Sequence, residues 1–316
     1  MFIKKRAVFD GREAIIISGL GEYNLADTLE CGQCFRYERV KRDDGVKEYQ
    51  TVIGNILLSV CQREKGELIF LDISDEVFES ALRPYFSIDR NLNYVKIDVI
   101  EHTDSPWLKE AAENSGGIAI LKQDPWEALI SFIISQNNNI PRIRKIVREI
   151  CGEYGVNLYL QKENADNCPL GVISTTPCEK ECKKCGRCYT FPTPEDILNN
   201  PDGLLPSRPG FRYAYILDAA EKVYSKECDL SKIKDAASYD FTVEELKKIK
   251  GVGDKVAACV ALFGFANLEA FPIDVWMKRA IDTYFDGKLD PKSLGSYAGI
   301  AQQYIFNYIR YLNTSN

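Results

Sequence analysis

Two residues in this chain have types and surroundings suited to making and breaking covalent bonds. Lys255 follows Gly251-Val252-Gly253-Asp254, and Asp274 follows Phe271-Pro272-Ile273. The first stretch reads as a short helix, a glycine hairpin and a second helix carrying the lysine in its first turn. There the ammonium meets the positive end of the helix dipole, and burial would disfavour its charge further, so that free amine exists near neutral pH. Such an amine attacks an electrophilic carbon and can form a Schiff base; a lysine exposed on a helix is otherwise only a solvated charge. Asp274 stands where a helix N-cap belongs. One of its oxygens can cap while the other faces a cationic transition state. The amides of Gly251, Val252 and Gly253 would open a helix and could hold a phosphate without a basic side chain. A Gly-Val-Gly turn is also an ordinary link between core helices.

A second cluster could bind metal. Cys178, Cys182, Cys185 and Cys188 are separated by three, two and two residues, with Cys168 as a substitute, inside an aperiodic insertion at about 160–192. That spacing lets one loop present four thiolates to a tetrahedral ion, with structural zinc the first choice and an iron-sulfur cluster the second. The bland alternative is a solvated loop with free thiols. The other six of the eleven cysteines are scattered through apparent strands and helices. An odd total without a secretion signal argues for a reducing compartment rather than a disulfide framework.

The chain has 316 residues and a formal net charge of −6, with a pI near 5.2. A broadly basic polyanion-binding surface is therefore excluded, and any nucleic-acid site must be local, built from backbone amides and a few placed cations. The amino terminus has charge but no apolar run behind it, and no later stretch is long enough to span a bilayer. An intracellular protein is expected, cytoplasmic by default with a nuclear one not distinguished.

Residues 11 to about 73 read as antiparallel strands punctuated by Asp43-Asp44-Gly45 and Glu64-Lys65-Gly66 turns. Helical spacing takes over near Ser74. Asp124-Pro125-Trp126-Glu127 is an N-cap, first-turn proline and capping-box glutamate, and Thr242-Val-Glu-Glu245 repeats the capping-box pattern ahead of the hairpin. Three asparagines, Asn137 to Asn139, separate two helices, as a left-handed helix end would allow. The expectation is an α+β protein: an N-terminal antiparallel β-rich domain over 1–118, then a helical domain over 119–316. Gln302 and Phe306, four apart, share a face of the last helix.

With these residues in view, the pattern Leu246-x-x-Ile-x-Gly251-Val-Gly253-x-Lys255, then Pro272-x-Asp274, resembles the helix-hairpin-helix DNA glycosylases with a catalytic aspartate. Within them it is most similar to the 8-oxoguanine glycosylase/abasic-site lyases. Cys31-Gly-Gln-Cys-Phe-Arg-Tyr37, Lys122-Gln-Asp-Pro-Trp-Glu127, Ser131-Phe-Ile-Ile-Ser-Gln-Asn-Asn-Asn-Ile140 and Gly299-Ile-Ala-Gln-Gln-Tyr-Ile-Phe306 match in type and order. The resemblance implies a bifunctional glycosylase and lyase acting on damaged double-stranded DNA, with no catalytic cofactor, as a monomer. It implies that Lys255 attacks the sugar C1′, Asp274 stabilises the oxocarbenium-like state, and the Gly32 carbonyl accepts the N7–H that oxidised guanine has and guanine lacks. Gln302 would read the Watson–Crick edge of the extruded base between Cys259 and Phe306, with Phe263 in the pocket wall where relatives carry methionine. Asn137, Arg142 and Arg212 would hold the orphaned cytosine, Phe211 would wedge into the gap, and Trp276 stands where relatives carry a histidine. The cysteine insertion lies outside the pattern. A glycosylase for alkylated purines and a non-catalytic hairpin module that only binds DNA are the alternatives.

Overall fold

The computed structural model describes residues 2–158 and 187–314. Cys168, Cys178, Cys182 and Cys185 lie outside the described residues. Cys188 is described and is buried.

Six strands form one antiparallel sheet in the order β1-β2-β6-β5-β4-β3: β1 Ile3–Phe9, β2 Arg12–Ser18, β3 Tyr37–Val40, β4 Lys47–Ile53, β5 Ile56–Gln62 and β6 Leu68–Leu71. β1 starts before the stretch expected to be strand, and the other five lie within it. β1 is a charged, largely exposed edge strand whose Ile3-Lys-Lys-Arg run shows little apolar alternation. β5 is almost continuously buried, so it lacks the period of two that marks a half-buried strand. It turns back on β4 through Gly54 and Asn55, pairing Ile53 with Ile56, and Gly54 takes φ +59°. Helix α1 (Leu25–Glu30) interrupts the stretch expected to be all strand, its start capped by the Asn24 side chain. One sheet face contributes Ile15, Ile17, Leu58, Val60 and Phe70 to a core closed by Leu25, Leu29, Phe78 and Phe86. Phe70 meets Phe78 and Phe86 edge-on, with centroids 5.4 and 5.3 Å apart, an arrangement that adds to simple burial.

The remaining chain is mainly helical. Its principal helices are α2 (Leu92–Glu101), α3 (Pro106–Ser115), α4 (Pro125–Ser135), α5 (Ile140–Tyr154), α6 (Arg212–Tyr224), α7 (Tyr239–Leu246), α8 (Asp254–Gly264), α9 (Val275–Tyr284) and α10 (Ala298–Thr314). α4 is apolar on nearly all sides, with every residue from Ala128 to Ile134 buried, and is the central pillar. α8 packs closely on it: a Cβ at Gly264 would come within 3.1 Å of Pro125 Cα. α2 and α3 precede residue 119, yet their Val95, Val99 and Leu108 share a core with Ile133, Val260 and Ile305 of the later helices. Among the described residues no helix is long and apolar enough to cross a membrane.

Two helix starts depart from expectation. Asp124 caps α4 by accepting from Glu127 N at 2.9 Å, but the Glu127 carboxylate does not complete a capping box. It pairs instead with Arg36 at 2.8 Å, a nearly dry ion pair linking the sheet segment to α4. Burial pushes the Glu127 carboxyl up, and Arg36 works against that shift. Thr242 is no N-cap: α7 begins after Ser238, whose hydroxyl accepts from Phe241 N, and Thr242 is buried inside the helix donating to Ser238 O at 2.7 Å. Glu245 pairs with Lys248. A serine four residues earlier offered the same capping chemistry and won because Tyr239 and Val243 could then pack on the core.

Candidate active site

Lys255 and Asp274 come from different helix starts and meet at one place. Gly253 is the N-cap residue of α8, so Lys255 lies in its first turn, half-buried. Its Nζ donates to Ser135 Oγ at 3.2 Å and lies 5.5 Å from the centroid of the Phe132 ring. Asp274 caps α9, Oδ1 accepting from Met277 N at 2.7 Å, which leaves Oδ2 without a donor among the described residues. Capping and a free oxygen therefore coexist. Both residues line three adjoining cavities, of about 840, 400 and 60 Å³.

The hairpin between α7 and α8 is held from behind. Gly251 takes φ +80°, and a Cβ there would collide with the Tyr215 ring, so only glycine fits. Asp218 of α6 accepts from Lys250 N at 2.6 Å. Among the described residues the amides of Gly251 and Gly253 bond to no acceptor, whereas Val252 N donates to Ile249 O at 3.0 Å and its side chain is buried. Val252 therefore does not offer a phosphate-binding amide, a correction to the expected run of three donors: the turn closes on itself at that residue.

The smallest cavity, lined by Gly32, Cys259, Phe263, Gln302 and Phe306 beside Lys255 and Asp274, gathers residues up to 274 positions apart. At about 60 Å³ it has the share of roughly two waters, so a purine enters only as Phe306 and its neighbours give way. Gly32 takes φ +88°, while a Cβ there would meet Ile140 and Phe306 at an ordinary 3.5 and 3.6 Å. Backbone conformation, more than crowding, calls for glycine, and the Gly32 carbonyl accepts no protein hydrogen bond. Phe263 stacks on Phe132 at 5.3 Å. Burial pushes the Cys259 thiol up, the Lys255 charge pulling the other way, so it serves as an apolar wall.

The widest cavity is a groove reached by Asn137, Phe211, Gly253, Trp276 and Lys278. Phe211 is 50 % exposed at the start of α6, Trp276 is 48 % exposed, and Arg142 is exposed as well. Arg212 differs: it is 3 % exposed, donating to Gln136 O at 2.9 Å, Asn137 O at 2.9 Å and Pro209 O at 3.1 Å. It braces the asparagine turn instead of standing in the groove. Each asparagine of that turn has a structural task. Asn137 takes φ 46°, Asn138 Nδ2 donates to Ile134 O at 3.0 Å, and Asn139 caps α5.

Sequence reading missed the residues that hold these groups. Gln33 is fully buried; its Nε2 donates to Thr28 O at 2.7 Å and Ala119 O at 2.8 Å, and its Oε1 accepts from Leu121 N at 2.8 Å. Gln123 Nε2 donates to Gln33 O at 2.6 Å, and Gln123 N to Phe263 O at 2.9 Å. This chain of bonds locks the Gly32 carbonyl to the pocket wall. A glutamine between two buried cysteines was the available signal. Ser135, on which the lysine rests, carried none. Among the described residues no group of three or more metal-binding side chains is gathered.

Residues 15–129 match the family described as 8-oxoguanine DNA glycosylase, N-terminal domain. An N-glycosylase/DNA lyase of Saccharomyces cerevisiae is 29 % identical over 286 residues, 82 % of this chain and 67 % of that one. The Clostridium acetobutylicum 8-oxoguanine glycosylase/lyase, solved with double-stranded DNA containing cytosine opposite 8-oxoguanine, is 29 % identical with a TM-score of 0.80, covering 99 % of this chain and 98 % of that one. MBOgg1, solved with a low-affinity DNA ligand, is 31 % identical with a TM-score of 0.80 over 98 % and 99 % of the two chains. The likeness thus runs through sheet, hairpin and last helix alike, and the chain belongs to the 8-oxoguanine DNA glycosylase/lyase family.

Proposed function

We propose that this enzyme removes 8-oxoguanine opposite cytosine from duplex DNA and then cleaves the strand at the resulting site. The observation that carries this reading is the convergence of Lys255 and the uncapped oxygen of Asp274 on a small pocket that adjoins a wide groove. The groove takes the duplex, with the amides of Gly251 and Gly253 at a phosphate. The damaged nucleotide swings out, its departure filled by Phe211, while Asn137 and Arg142 meet the cytosine, joined by Arg212 once DNA releases it from the asparagine turn.

In the pocket the N7–H of the lesion donates to the Gly32 carbonyl. Guanine has no such donor and would leave that acceptor buried and unpaired, at a cost of about 1–3 kcal/mol. As the glycosidic bond lengthens, Asp274 faces the developing positive charge on the sugar. Lys255 Nζ bonds to C1′, the bonding pair leaves with the base, and the base takes up a proton. Opening of the sugar gives an iminium. Loss of a proton from C2′ then expels the 3′ phosphate by β-elimination, and water releases Lys255. Trapping is the test: with borohydride the wild-type enzyme forms a covalent adduct on 8-oxoguanine DNA, and Lys255→Gln forms none. An equal adduct with Lys255→Gln overturns the assignment.

The spacing of Cys178, Cys182, Cys185 and Cys188 supports one structural zinc ion per chain, separate from the chemistry. Elemental analysis of enzyme purified under reducing conditions checks it, and absence of zinc and iron refutes it. A DNA substrate also places the enzyme inside the cell.

A further inference from the structure

Gln303 follows Gln302 on α10, and each side chain is 4 % exposed. Gln303 Nε2 donates to Gln302 Oε1 at 2.6 Å, yet Gln303 Oε1 is buried without any hydrogen-bond partner. Both glutamines line the small pocket with Cys259 and Phe306. A buried acceptor left unpaired is costly, and such groups in native proteins call for an explanation, of which a missing ligand donor is one.

The two amides together present a defined edge. Among the described residues, Gln302 Nε2 donates to no protein group. Gln302 Oε1 keeps one lone pair after accepting from Gln303, and Gln303 Oε1 keeps both. Donor, acceptor and acceptor are the complement of the Watson–Crick edge of a guanine, which offers the O6 acceptor, the N1–H donor and the 2-amino donor. We propose that Gln303 reads the 2-amino group of the extruded base through its Oε1, while its Nε2 sets the orientation of the Gln302 amide, so that the pair acts as one reader. The inference rests on the reading of this pocket as an 8-oxoguanine site. It adds a determinant on the opposite edge of the base from the N7–H sensed by Gly32. Base insertion then converts an orphaned acceptor into a bonded one, a gain that a purine without the 2-amino group does not provide.

The experiment compares single-turnover release of 8-oxoguanine and 8-oxohypoxanthine, which differ only in the 2-amino group, from one duplex sequence opposite cytosine. The wild-type enzyme is expected to favour 8-oxoguanine by about tenfold or more. Gln303→Met, of similar length and without polar atoms, is expected to bring the ratio near one by slowing 8-oxoguanine release. Gln303→Glu, which keeps the acceptor and loses the donor to Gln302, is expected to be slower on both bases while retaining the preference. A ratio that Gln303→Met leaves unchanged, with both rates lowered together, makes Gln303 a packing element and overturns the proposal. A wild-type ratio near one overturns it equally, and needs no variant to fold. A wild-type enzyme that releases neither base fails the function on which the inference rests, a result distinct from both.

Discussion

Lys255 and Asp274 stand half-exposed at the starts of α8 and α9, on the rim of an open groove, each held by its own first turn and one or two short contacts. Gln302, Gln303 and Cys259 are buried on the inner faces of α10 and α8, around a cavity of only about 60 Å³. The bond-making half is preorganised by local backbone: a helix start fixes where an amine or carboxylate stands, whatever packs behind it. The base-reading half is assembled from segments distant in sequence, so its geometry depends on the packing of the whole molecule. With the roles proposed above, changes in the core are expected to disturb specificity more than bond chemistry. Gly32 joins the halves, since its loop is bonded through Gln33 and Gln123 to the backbone of Phe263 on α8.

Substitutions can separate the two. Asp274→Asn keeps a good N-cap and removes the charge, so base release should fall by about 10²–10³-fold with thermal stability almost unchanged. A large fall in melting temperature would show that capping, and not electrostatics, is the main role of Asp274. Gly251→Ala forces a Cβ into the Tyr215 ring at φ +80°, and a loss of roughly 2–3 kcal/mol in urea unfolding is expected, with weaker duplex binding. Unaltered stability would mean that the hairpin is less rigidly built than the lesion pocket, reversing the comparison.

Smaller effects probe the specificity half. Gly32→Ala has space for its Cβ but strains the backbone, costing about 1–2 kcal/mol, and the tilted carbonyl should cut the preference for 8-oxoguanine over guanine by about tenfold. Competition between lesion and undamaged duplexes measures this, and a retained preference would show that recognition lies elsewhere. Ser135→Ala removes the 3.2 Å hydrogen bond that Lys255 Nζ donates to the hydroxyl; with Phe132 still below the amine, adduct formation should slow by only about three- to tenfold. A loss as large as that of Lys255→Gln would mean that the nucleophile, too, depends on its neighbours.

Legibility followed the same division. Gly251, Gly253, Lys255 and Asp274 were readable because helix starts, tight turns and caps have short-range rules, and Asp124 was readable for the same reason. The rules failed where two candidates competed or where tertiary partners intervened. Ser238 displaced Thr242 as the cap, Glu127 turned to Arg36, and Val252 spent its amide within the hairpin. β1 escaped because a charged, exposed edge lacks apolar alternation. Gly32, Gln302 and Phe306 entered as site residues through resemblance to a family, since no local pattern distinguishes them from a turn glycine, a surface amide and a core ring.

By itself, then, the sequence placed a lysine and an aspartate at two helix starts, a glycine hairpin beside them and an α+β chain, because helix periodicity, capping and turn conformation act over a few residues. Only the tertiary structure decided that Gly32 and Phe306 face each other across one pocket, that Arg212 is spent on a turn, and that Gln303 carries an acceptor with nothing to accept. Those facts arise from burial and from hydrogen bonds between segments far apart in the chain, where the partner of each polar group is set by how the whole core packs.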